Sequence, residues 1–377
     1  MNPSCDVLIL GAGIVGAACA MECALAGMSV MIVEGNVVGG GATAAGMGHI
    51  VAMDDSPEQL ALTHYSQQLW NQIAHELPAD VEYEKTGTIW VAANEEEMQE
   101  VIRRHALYSA LGLAVRTLDA DELAHEEPHL RPGLPGGLLV KDDAVLYPPC
   151  AAVFFLQRAM QAGARLVAQS ILKASCGKVV LHNGETLTAP RIVNALGASA
   201  AAITPGLPIR LRKGHLAITD RAPGFVKHQL VELGYIRSAG SSTADSVAFN
   251  VQPRKTGQIL IGSSRQYDAG HPDIDHAIMG RMLRQALLYM PAMEPLTILR
   301  TWTGFRAATP DKLPLIGPHP YDSSLYLATG HEGLGITTSL ATAKILMHIF
   351  TGASIGIPVE PYLPSRALCV QSKVEYV

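Results

Sequence analysis

Residues 6–16 read DVLILGAGIVG, and residues 29–34 read SVMIVE. The run from Asp6 to Leu10 is apolar after its first residue and is stopped by a glycine. That is the pattern of a strand buried on both faces of a parallel sheet. Small residues from Ile14 to Gly27 predict a helix, and Ser29 to Glu34 predicts a second buried strand, which makes a βαβ unit. Its turn, Gly11-Ala12-Gly13-Ile14-Val15-Gly16, fits G-x-G-x-x-G. Gly11 permits the tight turn, and Gly13 lets the backbone approach a pyrophosphate seated on the helix N-terminus. Gly16 permits close packing of helix on strand. Glu34 comes 18 residues after Gly16, where a carboxylate accepts ribose hydroxyls and repels a 2′-phosphate. The turn therefore predicts a dinucleotide other than NADP.

Gly39-Gly40-Gly41-Ala42-Thr43 follows directly, with no continuing alternation of strand and helix. A glycine-rich loop from Gly39 to Gly48, offering bare amides and the Thr43 hydroxyl, suits a second wrap around a pyrophosphate. This arrangement resembles flavoproteins that bury FAD in an extended pose. Further along, Pro57 to Leu77 has helical periodicity with a Ser56 cap, Thr88 to Ala93 reads as a strand, and Glu95 to Gly112 as a surface helix. A polar stretch follows Leu118. Ala151 to Gly163 is an amphipathic helix, Arg165 to Ser170 a strand, and His182-Asn183-Gly184-Glu185 a hairpin signal. Arg191 to Leu196 is another buried strand. Arg210 to Asp220, Ala248 to Gln252 and Gln258 to Arg265 alternate like antiparallel strands with one wet face, and His276 to Met290 is a helix. Leu325 to Thr329 is a strand, Gly330 to Gly335 a turn, and Ile336 to Phe350 an apolar helix.

Parallel-sheet signatures thus occur in three separated blocks. The expected architecture is α/β with an α+β second part. A discontinuous Rossmann-type FAD-binding domain comprises residues 1–80, 145–215 and 300–366, and an inserted antiparallel-sheet substrate domain comprises 81–144 and 216–299. Residues 367–377 form a tail. The length of 377 residues and the 48% hydrophobic content allow a large core. A net charge of −6 and 5% aromatic residues disfavour a nucleic-acid surface. Six cysteines without a Cys-x-x-Cys pair predict no zinc or iron–sulfur site of the chain's own. The spaced histidines His125 and His129 lack a third ligand. No apolar run is long enough to span a bilayer, and Met1 to Asp6 carries no basic leader signature. A soluble cytoplasmic protein is the expectation.

The whole chain, from about residue 5 to 366, resembles the D-amino-acid oxidase family of FAD-dependent amine oxidoreductases. It is most similar to the branch of glycine oxidase, the sarcosine oxidase β-subunit and bacterial D-hydroxyproline or opine dehydrogenases. The resemblance rests on Val7 to Gly16 with Glu34, Gly41 to Gly48, Gly163 to Ile171 and Val193-Asn194-Ala195-Leu196-Gly197-Ala198. It also rests on Trp302-Thr303-Gly304-Phe305-Arg306 with Thr309 to Gly317, and on Gly330 to Thr337. It implies that FAD is held by Gly11, Ala12, Gly13, Ile14, Val15, Gly16, Glu34, Gly41, Ala42, Thr43, Gly46, Met47, Gly48, Ile171, Ala195, Gly197, Gly304, Arg306, Gly333, Leu334, Gly335, Ile336 and Thr337. The Ile171 backbone would lie beside the adenine. Some members attach FAD through a cysteine in the 302–309 region, where this chain has none and Gly304 takes the position, so FAD is expected to be non-covalent.

The resemblance also assigns Arg306 as the bidentate partner of a substrate carboxylate, because a planar fork matches a planar anion. The amides opening the last helix would face the flavin pyrimidine edge, where negative charge develops on reduction. Thr337 and Thr338 would add hydroxyl donors, and His331 is a candidate contact to the ring. Glycine oxidases place a tyrosine near Phe249-Asn250. This chain has Asn250 there, and Tyr235 is the candidate replacement.

The implied activity is hydride transfer from the Cα–N bond of a small amino or imino acid to flavin N5, giving an imine, with substrates of D-hydroxyproline, proline-like, sarcosine, glycine or opine type. A second reading is a flavin-bearing β-subunit that passes electrons to iron–sulfur or flavin partner subunits. An aromatic-hydroxylase type of monooxygenase fits the 302–317 and 330–337 motifs poorly.

Overall fold

A computed structural model describes residues 4–234, 245–267 and 269–368. The predicted βαβ unit is formed by β1 (Val7–Leu10), α1 (Ile14–Leu25) and β2 (Val30–Val33). All eight strand residues are buried, as a strand covered on both faces requires. They sit centrally in a six-stranded sheet ordered Leu315–His319, Asp322–Thr329, Arg191–Asn194, β1, β2, Arg165–Val167. Every neighbouring pair is parallel except the first, which is a hairpin edge.

One face of this sheet packs on α1 and on the helices Pro148–Gln161 and Gly335–Thr351, with Ala17, Ala20, Ala151, Ala341 and Ile345 in the seam. Small side chains there bring α1 close to both neighbours. The other face carries Leu8, Leu10 and Val33 onto Val179, Leu181 and Leu187 of a small three-stranded antiparallel sheet. That sheet contains the predicted hairpin, between Lys178–Leu181 and Thr186–Thr188.

A nine-stranded sheet forms the second body of structure. Its order is His331–Glu332, Ile298–Ala308, Arg210–Arg221, Gln258–Tyr267, Ser246–Pro253, Gln229–Glu232, Thr88–Ala92, Gly136–Val140, Val115–Asp119. The expected antiparallel pairing holds with one exception, because Gln229–Glu232 runs parallel to Thr88–Ala92. Helix His276–Tyr289 covers one face, burying Met279, Met282 and Ala286 against Phe249, Val251, Ile259 and Ile261. Phe249 stacks on Tyr289 with ring centroids 4.5 Å apart. Alternate residues point the other way, and Gly214, Leu216, Asn250, Gly304 and Arg306 therefore share the face turned toward the Gly-rich segments; Ser263 joins them where the strand register shifts.

The predicted Ser56 cap forms, accepting a hydrogen bond from Gln59 N, and Asn94 caps helix Glu95–Ala110 by accepting one from Glu97 N. The polar stretch after Leu118 is more ordered than its composition indicates. Asp119 ends a strand and builds a capping box with Glu122 at the start of helix Ala120–Glu126. His129 is stacked on Phe225 and hydrogen-bonds to its carbonyl at 2.8 Å, a structural use. Among the described residues no helix is long and apolar enough to cross a membrane, and no group of three His, Cys, Asp or Glu side chains could hold a metal ion.

Candidate active site

The C-terminal ends of β1 and Arg191–Asn194, the start of α1, the Gly40–Met47 segment and one face of the nine-stranded sheet enclose a cavity of about 330 Å³. Its floor is built for close approach. Gly11 has φ +98°, and a Cβ there would fall 2.9 Å from Ala195 O. A side chain at Gly16 would strike Gly11 O, so this glycine serves the packing of α1 on β1 and does not line the cavity. The N-terminal cap residue of α1 is Gly13, which has no side chain to cap it, and the amide of Ile14 is taken by Thr43 Oγ1. The other first-turn amides have no side-chain cap, and a helix N-terminus at a cavity favours an anion.

Glu34 directly follows β2 at the cavity edge. Its Oε2 accepts from Ala12 N at 2.8 Å and its Oε1 from Asn36 N at 2.8 Å, which fixes the carboxylate in place. The segment expected to be a bare loop is a short helix, Gly41–Ala45. Thr43 is buried, and its Oγ1 accepts from Ile14 N at 3.1 Å, tying the two glycine-rich segments together. The hydroxyl thus holds the frame of the cradle. Gly48 does not reach the cavity: with φ +97° it packs under Leu146, whose N–H donates to Gly48 O at 2.7 Å.

On the opposite side, the turn Gly330–Leu334 opens helix Gly335–Thr351, again without a side-chain cap. Gly333, Gly335 and Ile336 line the cavity, whereas Leu334 and Thr337 do not. Thr337 Oγ1 donates to His49 O at 3.0 Å, and Thr338 Oγ1 donates to Leu334 O at 2.8 Å. Both hydroxyls are therefore committed to the backbone, unlike the expected donors to a ligand. His331 lines the cavity but is held by Thr342 Oγ1 at 2.9 Å. Thr342 donates to Thr338 O at 2.9 Å, so the histidine is the donor through Nε2. Burial pushes its pKa down to about 3, and the ring is neutral at pH 7.

Arg306 lines the cavity, and its Nη1 donates to Ser264 O at 3.0 Å. It lies over Gly214, where a Cβ would fall 2.5 Å from Nη1. Its register partner is Arg212. Glu332, at φ +50°, binds Arg212 Nη1 at 2.5 Å, and Arg265 Nε stands 3.8 Å away. Burial raises the Glu332 pKa, but the charges of Arg265, Arg212 and Arg306 outweigh it and hold the carboxyl below its usual range. Three guanidiniums thus gather around one carboxylate on this wall.

Of the remaining expected residues, Ala42, Gly46, Met47, Ala195, Gly197, Gly304 and Asn250 line the cavity, as do Ile14, Val15, Gly41 and Thr43. Ala12 is buried beneath it. Ile171 is half-buried in the strand Ile171–Ser175, outside the lining. Tyr235 lies outside the described residues. Sequence reading missed His49, Ser263, Gly214 and Leu216, all of which line the cavity. His49 directly follows the Gly41–Gly48 segment and was within reach of that reading. Ser263 shows no sequence signal.

A dinucleotide-binding βαβ unit, a second glycine-rich cradle and a helix N-terminus aimed into one cavity define a flavoprotein of the extended-FAD class. The chain belongs to the FAD dependent oxidoreductase family (DAO), whose model matches residues 6–349. It is 26% identical to hydrogen cyanide synthase subunit HcnC of Pseudomonas aeruginosa, over 97% of each chain. It is also 26% identical to glycine oxidase of Geobacillus kaustophilus, over 96% of this chain and 97% of the relative. The crystal structure of that glycine oxidase superposes with a TM-score of 0.84 at 25% identity, covering 96% of this chain and 98% of the other. A subunit of the opine oxidase of Rhizobium meliloti is 25% identical over 89% of this chain and 91% of its own. The protein is an FAD-dependent oxidoreductase.

Proposed function

We propose that the protein oxidises the Cα–N bond of a small amino or imino acid of D-hydroxyproline, proline-like, sarcosine or glycine type, releasing an imine. The observation that carries this reading is the Arg306 guanidinium on the cavity wall, within a cluster where Arg212, Arg265 and Arg306 surround Glu332. Such a wall suits a substrate carboxylate. The cradle residues fit FAD, because the starts of α1 and Gly335–Thr351, neither capped by its own N-cap side chain, bring backbone donors to one cavity. Gly11, Gly13, Glu34 and the Gly41–Met47 segment would hold its dinucleotide, and Gly304, Gly333, Gly335 and Ile336 its ring. Bound there, the flavin supplies the hydride acceptor.

Arg306 would bind the carboxylate and orient the α-carbon. The nine-stranded sheet forms one wall of the site, and the His331 imidazole that lines it is neutral at pH 7. The amine must be neutral when hydride leaves, and a neutral His331 supplies no acid that would protonate it. With no cysteine in residues 302–309, FAD would be bound non-covalently.

A second reading, that the chain is the flavin-bearing subunit of a heteromeric dehydrogenase, is supported by the names of HcnC and of the opine oxidase relative, both subunits. Anaerobic bleaching of the flavin by a panel of D-amino, N-methyl and imino acids tests the first reading. Bleaching by none of them sinks it. Reoxidation by air as fast as by a quinone dye argues against the second.

A further inference from the structure

We propose that His49 is the second donor of the substrate's carboxylate anchor, acting beside Arg306; this rests on the amino-acid reading above. His49 opens a two-residue strand paired with Ala144–Val145, and its carbonyl accepts the Thr337 hydroxyl at 3.0 Å. The backbone is thereby fixed against the first turn of the last helix, on the cavity wall that also includes Arg306. The imidazole is oriented by Gln229, whose Nε2 lies 3.2 Å from His49 Nδ1. Gln229 is 2% exposed, and its Oε1 faces Thr88 Oγ1 at 3.5 Å, which turns its amide nitrogen toward the ring. An N–H presented to Nδ1 leaves the ring proton on Nε2, as a donor.

The electrostatics agree with this placement. Burial first, and then the charge of Arg306, push His49 down to about 4. A neutral N–H donor stands near a guanidinium without repulsion, and an anion is the ligand that both satisfy. A carboxylate offers about four lone-pair sites, while Arg306 already spends one N–H on Ser264 O. Asn250 Oδ1, on the sheet wall of the same cavity, is a buried acceptor without a partner among the described residues. Such an acceptor repels a carboxylate and suits an amine N–H.

The test is a titration of the FAD absorbance of the holoenzyme with pyrrole-2-carboxylate, an unreactive imino-acid mimic, and with its neutral carboxamide. His49→Phe keeps a ring but removes the donor. It should weaken the carboxylate about 10- to 100-fold, the range for a hydrogen bond to a charged group, and the carboxamide clearly less, about 2- to 10-fold, the range for a neutral one. FAD content should match wild type. His49→Gln, which restores an N–H, should recover part of the loss. Gln229→Leu, which frees the ring to rotate, should fall between wild type and His49→Phe, and it serves if the phenylalanine variant does not fold. Equal Kd values for wild type and His49→Phe, or equal losses for carboxylate and carboxamide, overturn the anchor. A wild-type enzyme that binds the mimic but is bleached by no amino or imino acid overturns the function and leaves the Kd comparison standing.

Discussion

Arg212 and Arg306 are direct partners across adjacent antiparallel strands, and Glu332 stands between their charges and that of Arg265. Like charges opposite one another in a sheet repel. Glu332 is therefore the group that lets a substrate-facing arginine exist in this wall. Its side chain is 10% exposed and that of Arg212 is 5% exposed, so water screens the cluster little. Glu332→Gln should lower stability by about 3–5 kcal/mol, the cost of breaking a buried pair from one side. Added chloride or acetate should raise the melting temperature of the variant more than that of wild type. A variant that melts like wild type, with no anion effect, would remove Glu332 from this role.

Arg306→Ala should cost about 1.5–3 kcal/mol in transition-state binding, roughly 10- to 100-fold in kcat/KM. Arg306→Lys should recover little, since an ammonium cannot reproduce the fork. FAD content should stay normal, and a carboxylate-free amine should lose little rate. Equal losses for both substrates, or colourless protein, would make Arg306 structural.

Gly13→Val should give folded but colourless protein. The first branch atom already meets Thr43 Oγ1 at 3.3 Å, and the rest of the side chain would occupy the space in front of α1. Wild type should release all its flavin on acid precipitation. Yellow colour retained in the pellet contradicts the non-covalent assignment.

Asp143 gives a pH prediction. It is fully buried and accepts from Ala52 N at 3.1 Å and Gln67 Nε2 at 2.8 Å, yet burial, the largest effect, pushes its pKa up to about 7. The folded protein thus holds this proton more tightly than the unfolded chain does. The associated stability is complete below about pH 4 and is lost as pH rises toward 7. Asp143→Asn should melt higher than wild type at pH 8, and the difference should shrink as pH falls toward 4. A gain that is flat with pH, measured by thermal melts, would rule out the titration as its cause.

The part of the site written in local pattern was legible in the sequence. Gly11, Gly13, Glu34 and the Gly41–Met47 segment announce themselves through spacing, because a βαβ turn needs glycine at fixed steps. The short helix Gly41–Ala45 was not visible, since glycine and alanine runs carry no periodicity and Thr43 is fixed by a contact to Ile14 from another segment. The strand Gly136–Val140 was missed for a similar reason. A glycine pair weakens the strand signal, and here Gly137 is required because a Cβ would fall 2.5 Å from Trp90 O. His49 depends on Gln229, which is 180 residues away, and no local pattern reports such a pair.

The central sheet brings β1 beside Arg191–Asn194, which in turn lies beside Asp322–Thr329. Pairings of such long range make loop closure costly and folding slow. During synthesis β1 emerges early, but its neighbour on one side comes only after about 180 more residues, and that neighbour's own partner after about 130 more. An exposed apolar edge therefore persists on the ribosome until the last third of the chain has emerged. Nascent chains stalled before residue 322 should hold this edge open and be the species that chaperones bind, whereas chains released after residue 351 can close the sheet and cover it with the final helix.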